Sequence, residues 1–267
     1  MTMKEERDVL VVDDEPVVSG AVARVARGEG LTADEAASGP EGLARLAERP
    51  YRLVVCDVMM TGMDGFAFMR EAARARPGTP VVMTTGYATV ETAVRSLTLG
   101  AEDFVPKPFT ADELVAVLRR ALRRRALSRA AAGPGPRDTL PFVPCPPKYS
   151  RLGFMSWAVG EDEGTARVGL TDLFLKTVDG VAAVELAAAG DEAAQGRPCA
   201  TVVSAAGDRH TVLSPVNGRI VAANRRAGES PGTLEKDPYF EGWLYRVVPV
   251  DLASDLQRLV SCSSDRL

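Results

Sequence analysis

The stretch LVVDDEP, residues 10–16, decides the fold of the first half of this 267-residue chain. An aliphatic run stops abruptly there at two adjacent acids, Asp13 and Asp14. A continuous aliphatic run is typical of a parallel strand that is covered on both faces. In an open parallel sheet, ligands bind where the strands end. The stretch therefore predicts a buried strand with two carboxylates at the ligand-binding edge of a sheet.

Three more aliphatic segments follow the same pattern, each ending in a polar residue at the expected sheet edge. They are YRLVVC (51–56) before Asp57, PVVMT (80–84) before Thr85, and DFV (103–105) shortly before Lys107. Helical patterns separate the segments and are predicted to begin at Pro16, at Asp64, near residue 89 and at Thr110. Alternating strands and helices predict an α/β fold, a doubly wound parallel sheet with helices on both faces.

The polar residues at the strand ends form a set with a definite chemistry. Three crowded carboxylates repel one another unless a cation lies among them, and Mg²⁺ suits carboxylate oxygens. One carboxylate, Asp57, could then attack phosphorus and form an aspartyl phosphate. Thr85 and Lys107 would take up charge on the phosphoryl oxygens. The chain has 27 Arg and only five Lys, so a lysine at this edge indicates that the site requires a compact ammonium group.

Four ordered blocks, LVVDDEP, VVCDVMMTGMDG, PVVMTTGYA and GAEDFVPKPF, resemble those of the receiver domain of bacterial response regulators. The resemblance covers about residues 7–125 and implies a flavodoxin-like fold with Asp57 as the phosphoacceptor. It implies that Mg²⁺ is bound by Asp57, by Asp14 and by the Met59 backbone carbonyl, with Asp13 acting mostly through water.

The resemblance assigns roles to further residues. Thr85 and Phe104 resemble the hydroxyl and aromatic pair that shift inward on phosphorylation, and Lys107-Pro108 resembles the position of a cis peptide. Thr61 departs from the family, which usually has Pro there. We expect this change to loosen the loop after Asp57 without touching the chemistry.

Two neighbours bear on the lifetime of the aspartyl phosphate. Met59 and Tyr87 lie two residues past Asp57 and Thr85 and should flank the line of water attack. Neither side chain carries a carboxylate or an amide that would orient a water molecule. We therefore expect slow self-hydrolysis.

The chain divides into a receiver (1–128), a Pro-rich linker (129–149) and a second domain (150–267). The linker has no helical or strand period and is expected to be stiffened toward polyproline II. The Arg-rich run at 119–129 ends the last receiver helix, and we interpret it as a solvated helix end; a nucleic-acid stripe and a dimer contact are the alternatives.

The second domain is predicted to be mostly β, with helices at 171–176 and 251–260. VGLTDL, VAAVELAAAGD, LSPVNGRIVAAN and ESPGTLEKDPYFEGWLYRVVP resemble, in order, the H protein of the glycine cleavage system. The resemblance implies a lipoyl-type barrel-sandwich hybrid, in which a hairpin tip presents a lysine that carries lipoate.

The lipoyl lysine is missing from this chain. Gly207 stands at its position, and no Lys occurs between Lys176 and Lys236, so we expect no lipoate. His210, just past the turn, is expected to be a solvent-facing strand residue; a phosphotransfer or switch residue is the alternative. Trp157 and Trp243 are expected to lie in the core.

These observations predict a phosphorylation-dependent signalling protein. The partners would be a sensor histidine kinase or phosphotransfer protein and an output protein that binds the H-protein-like domain. We expect no enzyme activity beyond the receiver's own phosphorylation and dephosphorylation. The alternatives are a DNA-binding regulator, which would use the arginine run or a dimer, and a lipoyl carrier under receiver control. A homodimer stays open.

Bulk composition agrees with this interpretation. The net charge of −4 gives no general attraction to nucleic acid or to an anionic membrane. The N-terminus lacks the apolar core of a signal peptide, and the four cysteines have no metal-ligand spacing. We therefore expect a cytoplasmic protein.

Overall fold

The computed structural model describes residues 5–131 and 141–264, which contain two compact units. The first is built on a sheet of five parallel strands in the order β2-β1-β3-β4-β5. Its strands are β1 (Arg7–Val12), β2 (Ala33–Ala36), β3 (Tyr51–Asp57), β4 (Val81–Thr85) and β5 (Asp103–Pro106).

Five helices connect and follow these strands. They are α1 (Pro16–Gly28), α2 (Gly39–Glu48), α3 (Gly65–Ala75), α4 (Val90–Thr98) and α5 (Ala111–Ala131). Side-chain caps begin three of the helices, since Ser38, Asp64 and Thr89 each accept a hydrogen bond from a backbone N–H in the first turn. Separate apolar clusters fill the two faces of the sheet, which confirms the doubly wound fold.

Sequence reasoning missed β2 and α2. The strand β2 has the sequence ADEA, which lacks the aliphatic run on which the other strands were predicted. Its side chains at Ala33 and Ala36 are nevertheless buried, and its backbone pairs with β1. Such a strand is specified by its neighbours in the sheet and by no local pattern.

The second unit is mostly β. Its seven-stranded sheet has the order β10-β13-β14-β8-β7-β6-β15, and a three-stranded sheet has the order β12-β11-β9. The strands are β6 (Ser150–Leu152), β7 (Ser156–Gly160), β8 (Ala166–Leu170), β9 (Val181–Leu186), β10 (Glu192–Ala193), β11 (Pro198–Ser204), β12 (Arg209–Leu213), β13 (Gly218–Ala223), β14 (Trp243–Pro249) and β15 (Val260–Ser261).

Short helices complete this unit: α6 (Asp172–Thr177), α7 (Arg225–Glu229), α8 (Gly232–Lys236) and α9 (Leu252–Gln257). The helices α6 and α9 agree with the sequence prediction, whereas α7 and α8 are too short and too rich in glycine to show a helical period. Trp157 is fully buried, as expected, and donates from Nε1 to the carbonyl of Leu170 at 2.8 Å. Trp243 is half-buried and packs against the buried apolar cluster that contains Trp157.

The described ends of the Pro-rich segment are ordered. α5 continues to Ala131, past the predicted domain end at 128, because its helical pattern persists through the arginine run. On the other side, the Val143 N–H donates to the Asp172 carboxylate at 2.6 Å and its carbonyl accepts from the Tyr239 hydroxyl at 3.0 Å. The middle of the predicted linker, 132–140, lies outside the described residues, and the boundaries stay a prediction.

Candidate functional site

Three acids meet at the carboxyl edge of the parallel sheet. Asp13 and Asp14 directly follow β1, and Asp57 is the last residue of β3. One carboxylate oxygen of each lies within 4.8 Å of the others. Asp13 and Asp57 are buried, with 3% of each residue exposed, and Asp14 is half-buried. The adjacent strands β1 and β3 therefore bring together the acids that the sequence placed at their ends.

Lys107 supplies the positive charge of this cluster. Its Nζ lies 2.8 Å from Asp13 Oδ2 and 3.0 Å from Asp57 Oδ1, and its side chain is only 12% exposed. A third carboxylate, Glu15, approaches the same ammonium at 3.4 Å from the solvent side. The peptide between Lys107 and Pro108 is cis, as the resemblance implied.

The pKa directions follow from burial and from these neighbours. Burial raises the pKa of Asp57; the Lys107 ammonium offsets part of the rise and the Asp13 carboxylate adds to it. Burial by itself would lower the pKa of Lys107, but its bonds to Asp13 and Asp57 outweigh burial and raise it. Lys107 therefore stays charged and offsets the repulsion between the two buried carboxylates.

The oxygens of Asp57 differ in their partners. Oδ2 accepts a hydrogen bond from the Met59 N–H at 3.1 Å. Oδ1 is buried and, apart from its ion pair with Lys107, has no hydrogen-bond partner within the described residues. A buried carboxylate oxygen that has an ion pair but no hydrogen bond, beside two more carboxylates, fits an oxygen-liganded divalent cation. The bond of the Met59 carbonyl to such a cation stays a prediction.

Thr85 and Phe104 lie on the strands next to this cluster. Thr85 is fully buried at the end of β4, and its Oγ1 accepts from the Tyr87 N–H at 3.1 Å. Phe104 is half-buried on β5 beside Met83 and packs against the apolar cluster on one face of the sheet. The structure thus places both residues on adjacent strands at the edge that holds Asp57, and their movement stays a prediction.

Sequence reasoning expected Thr61 to leave the chemistry untouched and missed its contact with the acidic cluster. Its N–H and its hydroxyl both donate to Asp14 Oδ2, at 2.9 and 3.0 Å. The bond from the Thr61 backbone is the largest influence that lowers the pKa of Asp14, and the hydroxyl adds to it. Sequence reasoning treated Thr61 as a loop residue because its partner is 47 positions away in the chain.

Met59 and Tyr87 both face solvent near the acidic cluster. Met59 is 57% exposed and Tyr87 is 73% exposed. Met59 lies two residues after Asp57, and Tyr87 lies two residues after Thr85. The expected slow hydrolysis stays a prediction.

The arginine run is not simply a solvated helix end. Arg120 and Arg125 are buried, because they pair with Asp103 and with Glu6 of the receiver itself. Arg119 and Arg124 likewise pair with receiver acids. These ion pairs occupy guanidinium groups that a nucleic-acid surface would need, so they do not favour the DNA-binding alternative.

The hairpin of the second unit has the predicted form. β11 and β12 pair antiparallel, with Val202 opposite His210. Gly207 lies in the turn at φ +89°, and a Cβ added there would meet nothing within 4 Å. The expectation that His210 faces solvent is wrong, because its ring is buried on the inner face of the sheet and packs edge-on against Phe174.

Comparison with known families agrees with both units. Residues 9–119 match the family model of the response regulator receiver domain, and residues 149–265 match that of the glycine cleavage H-protein. The N-terminal half is thus a receiver domain, the class that the fold and the acidic cluster define. More particularly, the chain joins a response regulator receiver domain to a glycine cleavage H-protein-like domain that follows it.

Individual relatives resemble one half each. The nitrogen assimilation regulatory protein NtrX of Azorhizobium caulinodans is 41% identical over 124 residues, which are 46% of this chain and 27% of the relative. The solved receiver domain of NtrX from Brucella abortus is 41% identical and matches 43% of this chain and 98% of its own, with a TM-score of 0.42.

For the second half, a solved glycine cleavage system H protein from Mycobacterium marinum is 27% identical. It matches 45% of this chain and 94% of its own, with a TM-score of 0.41. The chain spans less than half of the length of curated relatives such as NtrX and the TcrA of Mycobacterium tuberculosis. Within the described residues, no helix has the length and apolar character needed to span a membrane.

Proposed function

We propose that Asp57 accepts a phosphoryl group from a phosphohistidine of a sensor kinase or phosphotransfer protein. In this step an Asp57 carboxylate oxygen attacks phosphorus, the phosphorus–nitrogen bond breaks, and the histidine leaves. The observation that carries the proposal is the cluster of three carboxylates, Asp13, Asp14 and Asp57, in which Lys107 Nζ lies 3.0 Å from the buried oxygen Asp57 Oδ1. Burial, which raises the Asp57 pKa, also removes water that would compete with the phosphoryl group.

The carboxylates of Asp13, Asp14 and Asp57 would hold Mg²⁺, with the Met59 carbonyl as a further ligand. When bound, Mg²⁺ supplies positive charge for the phosphoryl oxygens. Lys107 Nζ lies 3.0 Å from Asp57 Oδ1 and would contribute an ammonium to the same phosphoryl oxygens. The Thr85 hydroxyl at the neighbouring strand end is the second protein group that would bind them.

The H-protein-like domain would be a protein-interaction output without lipoate. Supporting this view, Gly207 occupies the hairpin tip and the hairpin is otherwise formed as the resemblance implies. Arg209 is nearby, but its side chain pairs with Glu185 at 2.5 Å, and a guanidinium is always protonated. On this proposal the whole chain has no catalytic activity besides phosphorylation and dephosphorylation of Asp57.

The first experiment measures phosphorylation of the full chain. The protein is incubated with Mg²⁺ and acetyl phosphate, and intact mass spectrometry counts phosphoryl groups. Wild type is expected to gain one group and Asp57→Asn none. The matched control is Asp64→Asn, which changes an acid that caps α3 in the same region and preserves the cap, because Asn also caps helices well. Equal labelling of wild type and Asp57→Asn would refute the proposal.

A second experiment addresses the output. Beryllofluoride with Mg²⁺ mimics the phosphorylated state, and amide hydrogen exchange is compared in wild type and Asp57→Asn. Changes in protection within 150–264 would support the H-protein-like domain as output. Changes confined to the receiver would contradict that part of the proposal and leave phosphorylation intact.

A further inference from the structure

We propose that Thr61 is a positioning residue that holds the Asp14 carboxylate inside the acidic cluster, ready for a divalent cation. The inference rests on the proposed magnesium site. The Thr61 N–H and Oγ1 lie 2.9 and 3.0 Å from Asp14 Oδ2, so one residue supplies two hydrogen bonds to one oxygen.

Asp14 needs such a partner because of its neighbours. The Lys107 ammonium forms ion pairs with Asp13, Asp57 and Glu15. Asp14 is half-buried beside two buried carboxylates, and a swing of its side chain into water would relieve their repulsion. The two Thr61 donors oppose that swing, because a carboxylate that leaves them loses two charge-assisted hydrogen bonds.

The contact with Thr61 leaves room for a metal bond. A carboxylate offers about four lone-pair sites on its two oxygens. Both Thr61 bonds go to Oδ2, so Oδ1 of Asp14 takes no part in them. Outer partners of this kind orient a ligand before the metal arrives and thereby raise metal affinity.

The contact also joins the two strands that carry the acids. Thr61 lies in the loop between β3 and α3, four residues after Asp57. The same loop donates the Met59 N–H to Asp57 Oδ2 and is closed by the bond from Gly65 N–H to the Val58 carbonyl at 2.9 Å. A single loop therefore holds both Asp14 and Asp57. Proline at residue 61 could make neither bond, since it lacks the N–H and the hydroxyl.

The test is calorimetric titration of the full chain with Mg²⁺, without a phosphodonor. Thr61→Val removes the hydroxyl and keeps the shape and the N–H; it is expected to bind Mg²⁺ about tenfold more weakly. Thr61→Ser keeps the hydroxyl and is expected to bind like wild type. Thr61→Pro removes both donors and is expected to bind at least as weakly as the valine variant.

The matched control is Thr98→Val, because the Thr98 hydroxyl donates to the backbone carbonyls of Val94 and Arg95 within α4, away from the acidic cluster. Its Mg²⁺ affinity is expected to equal that of wild type. Circular dichroism of each variant confirms that the receiver is folded before titration, so that a lost affinity is not lost structure.

The outcomes separate this inference from the proposed function. If wild type binds Mg²⁺ and Asp14→Asn does not, but Thr61→Val binds as tightly as wild type or more tightly, the role of Thr61 is refuted and the site stands. If wild type fails to bind Mg²⁺, or if Asp14→Asn and Asp57→Asn bind it like wild type, both the site and the role of Thr61 are refuted.

Discussion

Replacement of Lys107 by Met is the sharpest test of how the acidic cluster is held together. Methionine keeps most of the aliphatic length of lysine and removes the charge. Lys107 Nζ lies 2.8 Å from Asp13 and 3.0 Å from Asp57, so each attraction is roughly 6 kcal/mol at an effective dielectric constant of about 20. Burial of the charges cancels much of this energy, and loss of one partner of a buried pair costs about 3–5 kcal/mol net.

We therefore expect Lys107→Met to lower the free energy of unfolding of the receiver by about 3 kcal/mol at pH 7.5 without Mg²⁺. The control is Arg74→Met, which breaks an exposed pair with Glu71 and should cost less than about 1 kcal/mol. Added Mg²⁺ should restore part of the loss in the lysine variant, because a cation that binds only the folded cluster stabilises it.

The deficit should also depend on pH. The Asp57 pKa is already raised from 3.8 with Lys107 present, and loss of the ammonium raises it further. A carboxyl whose folded pKa exceeds its unfolded value destabilises the fold above the folded pKa, and this penalty disappears as pH falls toward the unfolded value. The difference between the variant and wild type should therefore shrink between pH 7.5 and pH values near the ordinary carboxyl range.

Urea unfolding of the full chain provides the measurement. Far-UV circular dichroism follows mainly the receiver, which contains the five long helices. Both tryptophans, Trp157 and Trp243, lie in the second domain, so their fluorescence follows the unfolding of that domain separately. A lysine variant as stable as wild type at pH 7.5, or a deficit that does not shrink at lower pH, would refute the reasoning.

Three further predictions concern other positions. Met59→Asn adds an amide that can orient water, so the aspartyl phosphate should hydrolyse about tenfold faster in a mass-spectrometric time course; a wild-type half-life of seconds would contradict the expected slow hydrolysis. Gly65→Ala would place a Cβ 2.2 Å from the Asp57 carbonyl and should cost the receiver about 1–3 kcal/mol, whereas Gly28→Ala meets nothing and should be harmless in the same urea titration. Wild type that is produced in lipoylating cells should lack the mass of a lipoyl group, and lipoylated wild type would contradict this expectation. The variant Gly207→Lys should gain that mass, because its Cβ enters open space. The left-handed backbone at this position should lower the variant's free energy of unfolding by about 1–2 kcal/mol.

Sequence reasoning found the strands that carry chemistry because their signal is local. The aliphatic runs before Asp13, Asp57 and Thr85 are continuous, and parallel strands end at a common edge whatever lies between them. The position of Lys107 shortly after the segment DFV predicted its place at the same edge of the sheet. The strand β2 was not predicted, because its sequence ADEA contains no aliphatic run and its position is set by pairing with β1.

Other features depend on contacts between residues far apart in the chain. Arg120 is buried against Asp103 and Arg125 against Glu6. A run of arginines by itself predicts a solvated surface, because its sequence does not show these distant acids. His210 is buried because its strand turns that side chain toward Phe174. A local sequence pattern shows whether a residue is charged, polar or apolar, but it does not show which distant residue contacts it.

By itself, the sequence determined the residue types at each strand end, the order of the two domains and the absence of a lysine at the turn between β11 and β12. These depend on local periodicity and on identity alone. Only the tertiary structure decided that Lys107 pairs with two of the three acids and that Thr61 holds the third. Those pairings span 47 to 94 positions of the chain, and the folding of the strands and loops brings their atoms within 3 Å.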